Sequence, residues 1–122
     1  MNILILSGSP RKGGNTDLLV EAFVNGASPV YFYGLSAQLK AVIDRCHNPI
    51  RDTFPIKKIA LLLVGAATLP KLFDSILAQY QLCQNFFKLE DAGRVLVRGA
   101  KDKGDIKNTN ALNEAFELGQ QI

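Results

Sequence analysis

Apolar residues fall in two patterns along this chain. Unbroken runs occupy residues 3–6 (ILIL) and 59–64 (IALLLV), the latter leading into small Gly65, Ala66 and Ala67; a third run, RVLVRG, spans residues 94–99. An apolar run without polar gaps predicts a strand covered on both faces, as in the centre of a parallel sheet. Between the runs, apolar residues recur at helical spacing. Leu18, Leu19, Ala22 and Phe23 predict a helix over 16–25, capped by Asn15 or Thr16 and ended by Asn25-Gly26. Leu35, Leu39, Val42 or Ile43, and Cys46 predict one over 36–47, closed by Asn48-Pro49. Leu72, Ile76, Tyr80, Cys83 and Phe87 mark the buried stripe of a long helix over 72–89. Ala111, Leu112, Ala115, Phe116 and Leu118 mark a last one. Residues 30–33 read as a brief strand, Asp91-Ala92-Gly93 as a turn, and KDKGDIKNT as a polar loop.

Strands alternating with helices predict one domain over residues 1–122: a doubly wound parallel sheet in three α/β/α layers. The count is uneven. Three good strands offer too few flanks for four helices, and two of those helices are separated by only about nine residues. A crossover of about 30 residues is missing near residues 24–29. Either the protein carries a strand-helix-strand segment there that these residues omit, which is the expectation, or the chain is deleted.

Composition narrows the picture modestly. At 48% hydrophobic and 20% charged the chain is that of a folded domain. The excess of 14 Lys and Arg over 11 Asp and Glu is small and unclustered. A nucleic-acid footprint is therefore not suggested, while small anions remain compatible. The N-terminal apolar run is too short for a signal h-region or a membrane span, so a cytoplasmic protein is expected. Cys46 and Cys83 have neither metal nor CxxC spacing and read as small buried apolar residues. His47 adjoins Cys46, but neighbours on a helix point about 100° apart, which argues against a catalytic pair.

Candidate chemistry concentrates in two loops. SGSPRKGGNT, residues 7–16, joins the first apolar run to a helix. A glycine-rich turn there can offer backbone N–H groups and a helix N-terminus to an anion. At Walker spacing from Gly8 stand Gly13, Gly14 and Asn15, so the P-loop lysine is missing; Gly8-Ser9-Pro10 breaks the dinucleotide fingerprint. Ser9, Arg11, Asn15, Thr16 and nearby backbone suit a terminal phosphate monoester, the alternative being a solvated loop with a helix cap. The second loop, SPVYFYG, places two tyrosines and a phenylalanine directly before a helix. These rings belong either to the core or to a frame around a flat conjugated ring. A phosphate at one end and a planar ring at the other describe flavin mononucleotide, FMN.

The segments ILILSGSPRKGGNTDLL and SPVYFYGLSAQLKAVIDR closely resemble the flavodoxin-like, NAD(P)H-dependent FMN reductase family, which includes iron–sulfur flavoproteins and multimeric flavodoxins. ALLLVGA and FKLEDAGRVLVRGAKDKGDI look like its fourth strand and fifth-strand region. The resemblance implies a flavodoxin-like fold with FMN phosphate held by Ser9, Arg11, Lys12, Gly14, Asn15 and Thr16. It implies a flavin ring lined by Pro29, Val30, Tyr31, Phe32 and Gly34, with Gly65 and Ala66, extending to Ala67, completing the site. The departure is near Gly26, where family members carry a second strand and most of a third. Iron–sulfur members hold their cluster cysteines in that segment, so cluster status stays open.

The implied activity is an FMN-dependent oxidoreductase that takes reducing equivalents from NAD(P)H. The acceptor would be a quinone, a flavin, a metal ion or an iron–sulfur partner. No catalytic side chain and no resident metal are expected, because the flavin carries the chemistry. Small-molecule redox substrates, a homodimer or homotetramer, and no nucleic-acid or membrane partner complete the expectation. Alternatives are a flavodoxin-type electron carrier without nicotinamide activity and a non-enzymatic flavin-binding module.

Overall fold

The computed structural model describes residues 14–16 and 28–122. The expected first strand, most of the glycine-rich loop, the body of the first helix and the junction near Gly26 lie outside the described residues. Three strands, β1 (Ser28–Pro29), β2 (Lys58–Val64) and β3 (Glu90–Val97), form one sheet in the order β1-β2-β3. Both pairings are parallel: Ser28 and Pro29 sit opposite Leu63 and Val64, and Lys58 to Val64 run beside Glu90 to Val97. Helices α1 (Ala37–Arg45), α2 (Asp74–Phe87) and α3 (Ala111–Gln121), with short 3-10 turns at Arg51–Thr53 and Asp105–Asn108, complete the described elements.

β2 is buried on both faces, as its unbroken apolar run predicts. Leu61 and Leu63 pack with Leu72, Phe73, Ile76 and Tyr80 under α2. Leu62 and Val64 face the other way, against Val95, Val97, Ile106, Ala111 and Ala115 under α3. Alternate side chains of one strand thus supply two cores, giving the three-layer arrangement. Each fully buried Leu contributes roughly 1.5–3 kcal/mol through apolar area removed from water.

Five sequence expectations are revised. Residues 30–33 are not a strand: the paired strand is Ser28–Pro29, and the chain reverses at Phe32 and Tyr33, whose positive φ is incompatible with extended backbone. Residues 91–93 are not a turn: β3 begins at Glu90 and carries a bulge at Ala92, because Ile59 pairs with Asp91 and Ala60 with Gly93. Gly93 adopts φ +136°, and a Cβ there would lie 2.5 Å from Leu118 Cδ1, so both conformation and space require glycine. The bulge is held by Asp91, whose Oδ1 accepts from the Gly93 N–H at 3.1 Å while Oδ2 accepts from Arg94 Nη2 at 2.7 Å. Helix α1 has no buried residue, and its stripe of Leu39, Ile43 and Cys46 is only half covered. Phe116 of α3, expected on its buried face, is exposed. Cys46 and Cys83 are free and partly buried rather than core residues. Among the described residues, no helix is long and apolar enough to cross a membrane.

Candidate functional site

The carboxyl ends of β1 and β2 turn away from the sheet side by side. Val30 N–H donates to the Val64 carbonyl at 3.0 Å, extending the pairing by one residue. The chain then reverses within four residues. Tyr31 and Gly34 exchange two backbone hydrogen bonds of 3.0 Å, and the residues between them, Phe32 and Tyr33, have φ of 46° and 63°. Two consecutive left-handed residues make a type I′ turn, which usually selects Asn-Gly. Here it is occupied by two aromatic residues, an arrangement that carries backbone strain. Ser75, in the first turn of α2, donates its hydroxyl to the Tyr33 carbonyl.

The loop after β2 is fastened to the loop after β3. Gly65 N–H donates to the Val97 carbonyl at 2.8 Å, Ala100 N–H to the Gly65 carbonyl at 3.1 Å, and Gly99 N–H to the Ala67 carbonyl at 3.0 Å. Gly65 is buried, and a Cβ on it would stand 2.5 Å from Leu72 Cδ2. Arg98 secures the rest of this loop by donating to the Leu69 and Pro70 carbonyls, with its guanidinium 4.6 Å above the Phe73 ring. Between the loops after β1 and β2 lies a pocket of about 300 Å³ lined by Val30, Phe32, Tyr33, Gly65, Ala66, Ala67 and Leu72. Its apolar wall, aromatic rim and floor of small residues suit a flat ring. Its size is at the lower limit of ligand pockets, fitting a ring system better than a whole dinucleotide.

Of the glycine-rich loop, the described residues show Gly14 buried, with Asn15 and Thr16 in helical conformation and Thr16 buried. The Asn15 carboxamide is engaged on both sides. Its Oδ1 accepts from the N–H groups of Gly104 at 2.9 Å and Ile106 at 3.4 Å. Its Nδ2 donates to the carbonyls of Asp102 at 2.9 Å and Ala100 at 3.4 Å. What Asn15 leaves for an anion is its main chain. Because Ala100 also binds Gly65, a short hydrogen-bonded path joins the start of this helix to the pocket floor.

The structure therefore brings together Val30, Phe32, Gly65 and Ala66 among the expected ring contacts. Pro29 is instead paired in the sheet with Val64, and Tyr31 and Gly34 close the turn without lining the pocket. Ser9, Arg11 and Lys12 lie outside the described residues. Sequence reasoning missed Leu72 as a pocket residue, and named Tyr33 only with the other rings of its loop, as core or as a ring frame. It placed Leu72 only in the core stripe, and the reversal at Phe32 decides which tyrosine faces inward. No sequence signal singles out Ser75.

The perturbed titrating groups lie at the opposite end of the sheet. The Tyr80 hydroxyl is 2.9 Å from both the Ile59 carbonyl and Asp91 Oδ1. Burial, reinforced by the Asp91 carboxylate, raises its pKa far above the ordinary phenol value. For Asp91, burial pulls upward, but hydrogen bonds from Arg94, Tyr80 and the Gly93 N–H outweigh it and lower the carboxyl below its usual value. This group braces the bulge and has no access to the pocket loops. His47, at the end of α1, packs edge-on against Phe86 at 5.3 Å.

Comparison with known proteins follows this geometry. The chain is 24% identical over 175 residues to YwqN of Bacillus subtilis (strain 168), named an NAD(P)H-dependent FMN-containing oxidoreductase, with 97% of this chain and 96% of that protein covered. It superposes on the structure of the Trp repressor binding protein from Bacillus subtilis with a TM-score of 0.80 and 26% identity, covering 93% of this chain and 94% of that one. No family model matches the chain. The first relative carries the name that the resemblance read from the sequence anticipates. The second agrees with the parallel sheet flanked by helices.

Proposed function

We propose that this chain is an FMN-dependent oxidoreductase that draws reducing equivalents from NAD(P)H. The observation that carries the reading is the pocket at the carboxyl ends of β1 and β2, where α/β sheets bind ligands. Val30 and Leu72 would cover the flat ring, Phe32 and Tyr33 frame its edge, and the backbone of residues 65–67 approach it closely. The phosphate would lie toward residues 14–16, at the start of a helix, with Ser9, Arg11 and Lys12 as further donors. FMN, when bound, supplies the hydride- and electron-transfer chemistry; the chain binds it, orients it and limits its contact with water. The name of YwqN supports the cofactor and the reductant. A quinone, a flavin, a metal ion or an iron–sulfur partner would take the electrons.

Two structural features belong to the same proposal. The alignment with YwqN runs over 175 residues against the 122 of this chain, which supports a missing strand-helix-strand segment, placed near Gly26. The half-covered stripe of α1 supports assembly into a homodimer or homotetramer. Intact mass decides the first: a value above 13.3 kDa shows a further segment, and an equal value shows a deletion. Size-exclusion with light scattering decides the second.

The activity test is a titration of purified protein with FMN followed by anaerobic addition of NADH or NADPH. A yellow protein whose visible band bleaches is expected. A sample that stays colourless with FMN refutes the proposal, and a yellow one that neither nucleotide bleaches is a carrier instead.

A further inference from the structure

The aromatic turn beside the pocket is marginal when taken alone. Phe32 and Tyr33 both adopt left-handed backbone that disfavours side chains, and the Tyr31–Gly34 pair returns only two local hydrogen bonds. Phe32 is 100% exposed, so burial of its ring does not hold the turn. The Ser75 hydroxyl reaches the turn from another element and donates to the Tyr33 carbonyl. Leu72, three residues before Ser75, forms part of the pocket wall. The start of α2 thus shapes the pocket twice, once by apolar contact and once by fixing the turn opposite.

We propose that Ser75 is a positioning residue that sets ring affinity by holding the Phe32 and Tyr33 turn in its ligand-ready, left-handed form. The proposal rests on the flavin reading of this pocket. Only the fraction of molecules with the turn in place binds, so apparent affinity falls in proportion to that fraction. Losing one neutral hydrogen bond shifts such an equilibrium by about 5-fold. Because Ser75 acts at the ring end, the loss must be the same for a flavin with a phosphate and one without.

Dissociation constants for FMN and for riboflavin, measured by quenching of flavin fluorescence, test this on the wild type, Ser75→Ala and Ser75→Thr. Ser75→Ala is expected to bind both flavins more weakly, by up to about 5-fold, with an unchanged ratio between them. Ser75→Thr, which keeps the hydroxyl, is expected to bind within about twofold of the wild type. Ser75 is exposed, so both variants are expected to fold, with apo-protein melting confirming it. A wild type that binds both flavins and a Ser75→Ala variant that binds them equally well overturns the inference alone. So does a loss confined to FMN, or a Ser75→Thr loss as large as that of Ser75→Ala. A wild type that binds neither flavin overturns the flavin reading and this inference with it.

Discussion

Asn15 joins parts of the chain that are far apart in sequence, and its removal has a calculable consequence. Its side chain makes two short contacts, 2.9 Å each to Gly104 N and Asp102 O, and two long ones, 3.4 Å each to Ile106 N and Ala100 O. A net hydrogen bond contributes about 0.5–1.5 kcal/mol, and a buried group left without a partner costs about 1–3 kcal/mol. The two short bonds count in full and the long ones for little. Water can reach the Asp102 carbonyl but reaches the Gly104 and Ile106 amides less easily. Asn15→Ala is therefore expected to cost about 2 kcal/mol. The loop it releases carries Ile106, a fully buried core residue, and Ala100, which binds the pocket floor. Urea denaturation followed by circular dichroism measures the loss as a lower midpoint at unchanged slope. Asn15→Asp keeps the oxygen that accepts from Gly104 and Ile106 but sets a second carboxylate oxygen against the Asp102 and Ala100 carbonyls, so it is expected to cost at least as much as Asn15→Ala. A loss below about 0.5 kcal/mol for Asn15→Ala, the size of an ordinary surface substitution, refutes the structural role and returns the side chain to the anion.

Three further outcomes follow from the same structure. Replacing Phe32 with Asn and Tyr33 with Gly gives the turn its preferred residues. The double variant should be more stable by about 1–2 kcal/mol in thermal melts while binding flavin more weakly. Gly65→Val forces Leu72 aside in a buried site and is expected to lower stability by about 1–3 kcal/mol and to abolish flavin binding, both readable in one titration series. The lowered pKa of Asp91 stabilises the fold above the unfolded carboxyl value of about 3.9, and that contribution is lost as pH falls through the lower folded value. Asp91→Asn should therefore flatten the acid limb of a stability–pH curve, measured by denaturant midpoints between neutral pH and pH 2; an unchanged limb would discount the Arg94 and Tyr80 contacts.

Much of the fold is legible along the chain because its signals are local. β2 announces itself through six apolar residues without a polar break, since a strand between two helical layers has no face for water. α2 and α3 show their spacing because each must cover one side of that sheet. Residues 91–93 mislead for an equally physical reason: aspartate and glycine two apart accommodate a tight turn and a β-bulge alike. The choice was made by β2, which pairs on both sides of Ala92, and by Leu118, which leaves no room for a Cβ at Gly93.

The candidate site divides along the same line. Its location at the ends of buried strands, and its supply of glycine, small and aromatic residues, were determined by the sequence alone, because strand burial and loop composition are properties of neighbouring residues. Which of those residues meet was decided only in three dimensions. Tyr33 rather than Tyr31 lines the pocket because the left-handed pair Phe32 and Tyr33 reverses the chain there. Leu72 reaches the pocket wall and Ser75 the Tyr33 carbonyl because the segment leading into α2 packs beside the turn that follows β1. The Asn15 carboxamide binds partners 85 to 91 residues away. No local pattern encodes such contacts; they exist only once two cores have packed on opposite faces of one sheet and brought its loops to a common edge.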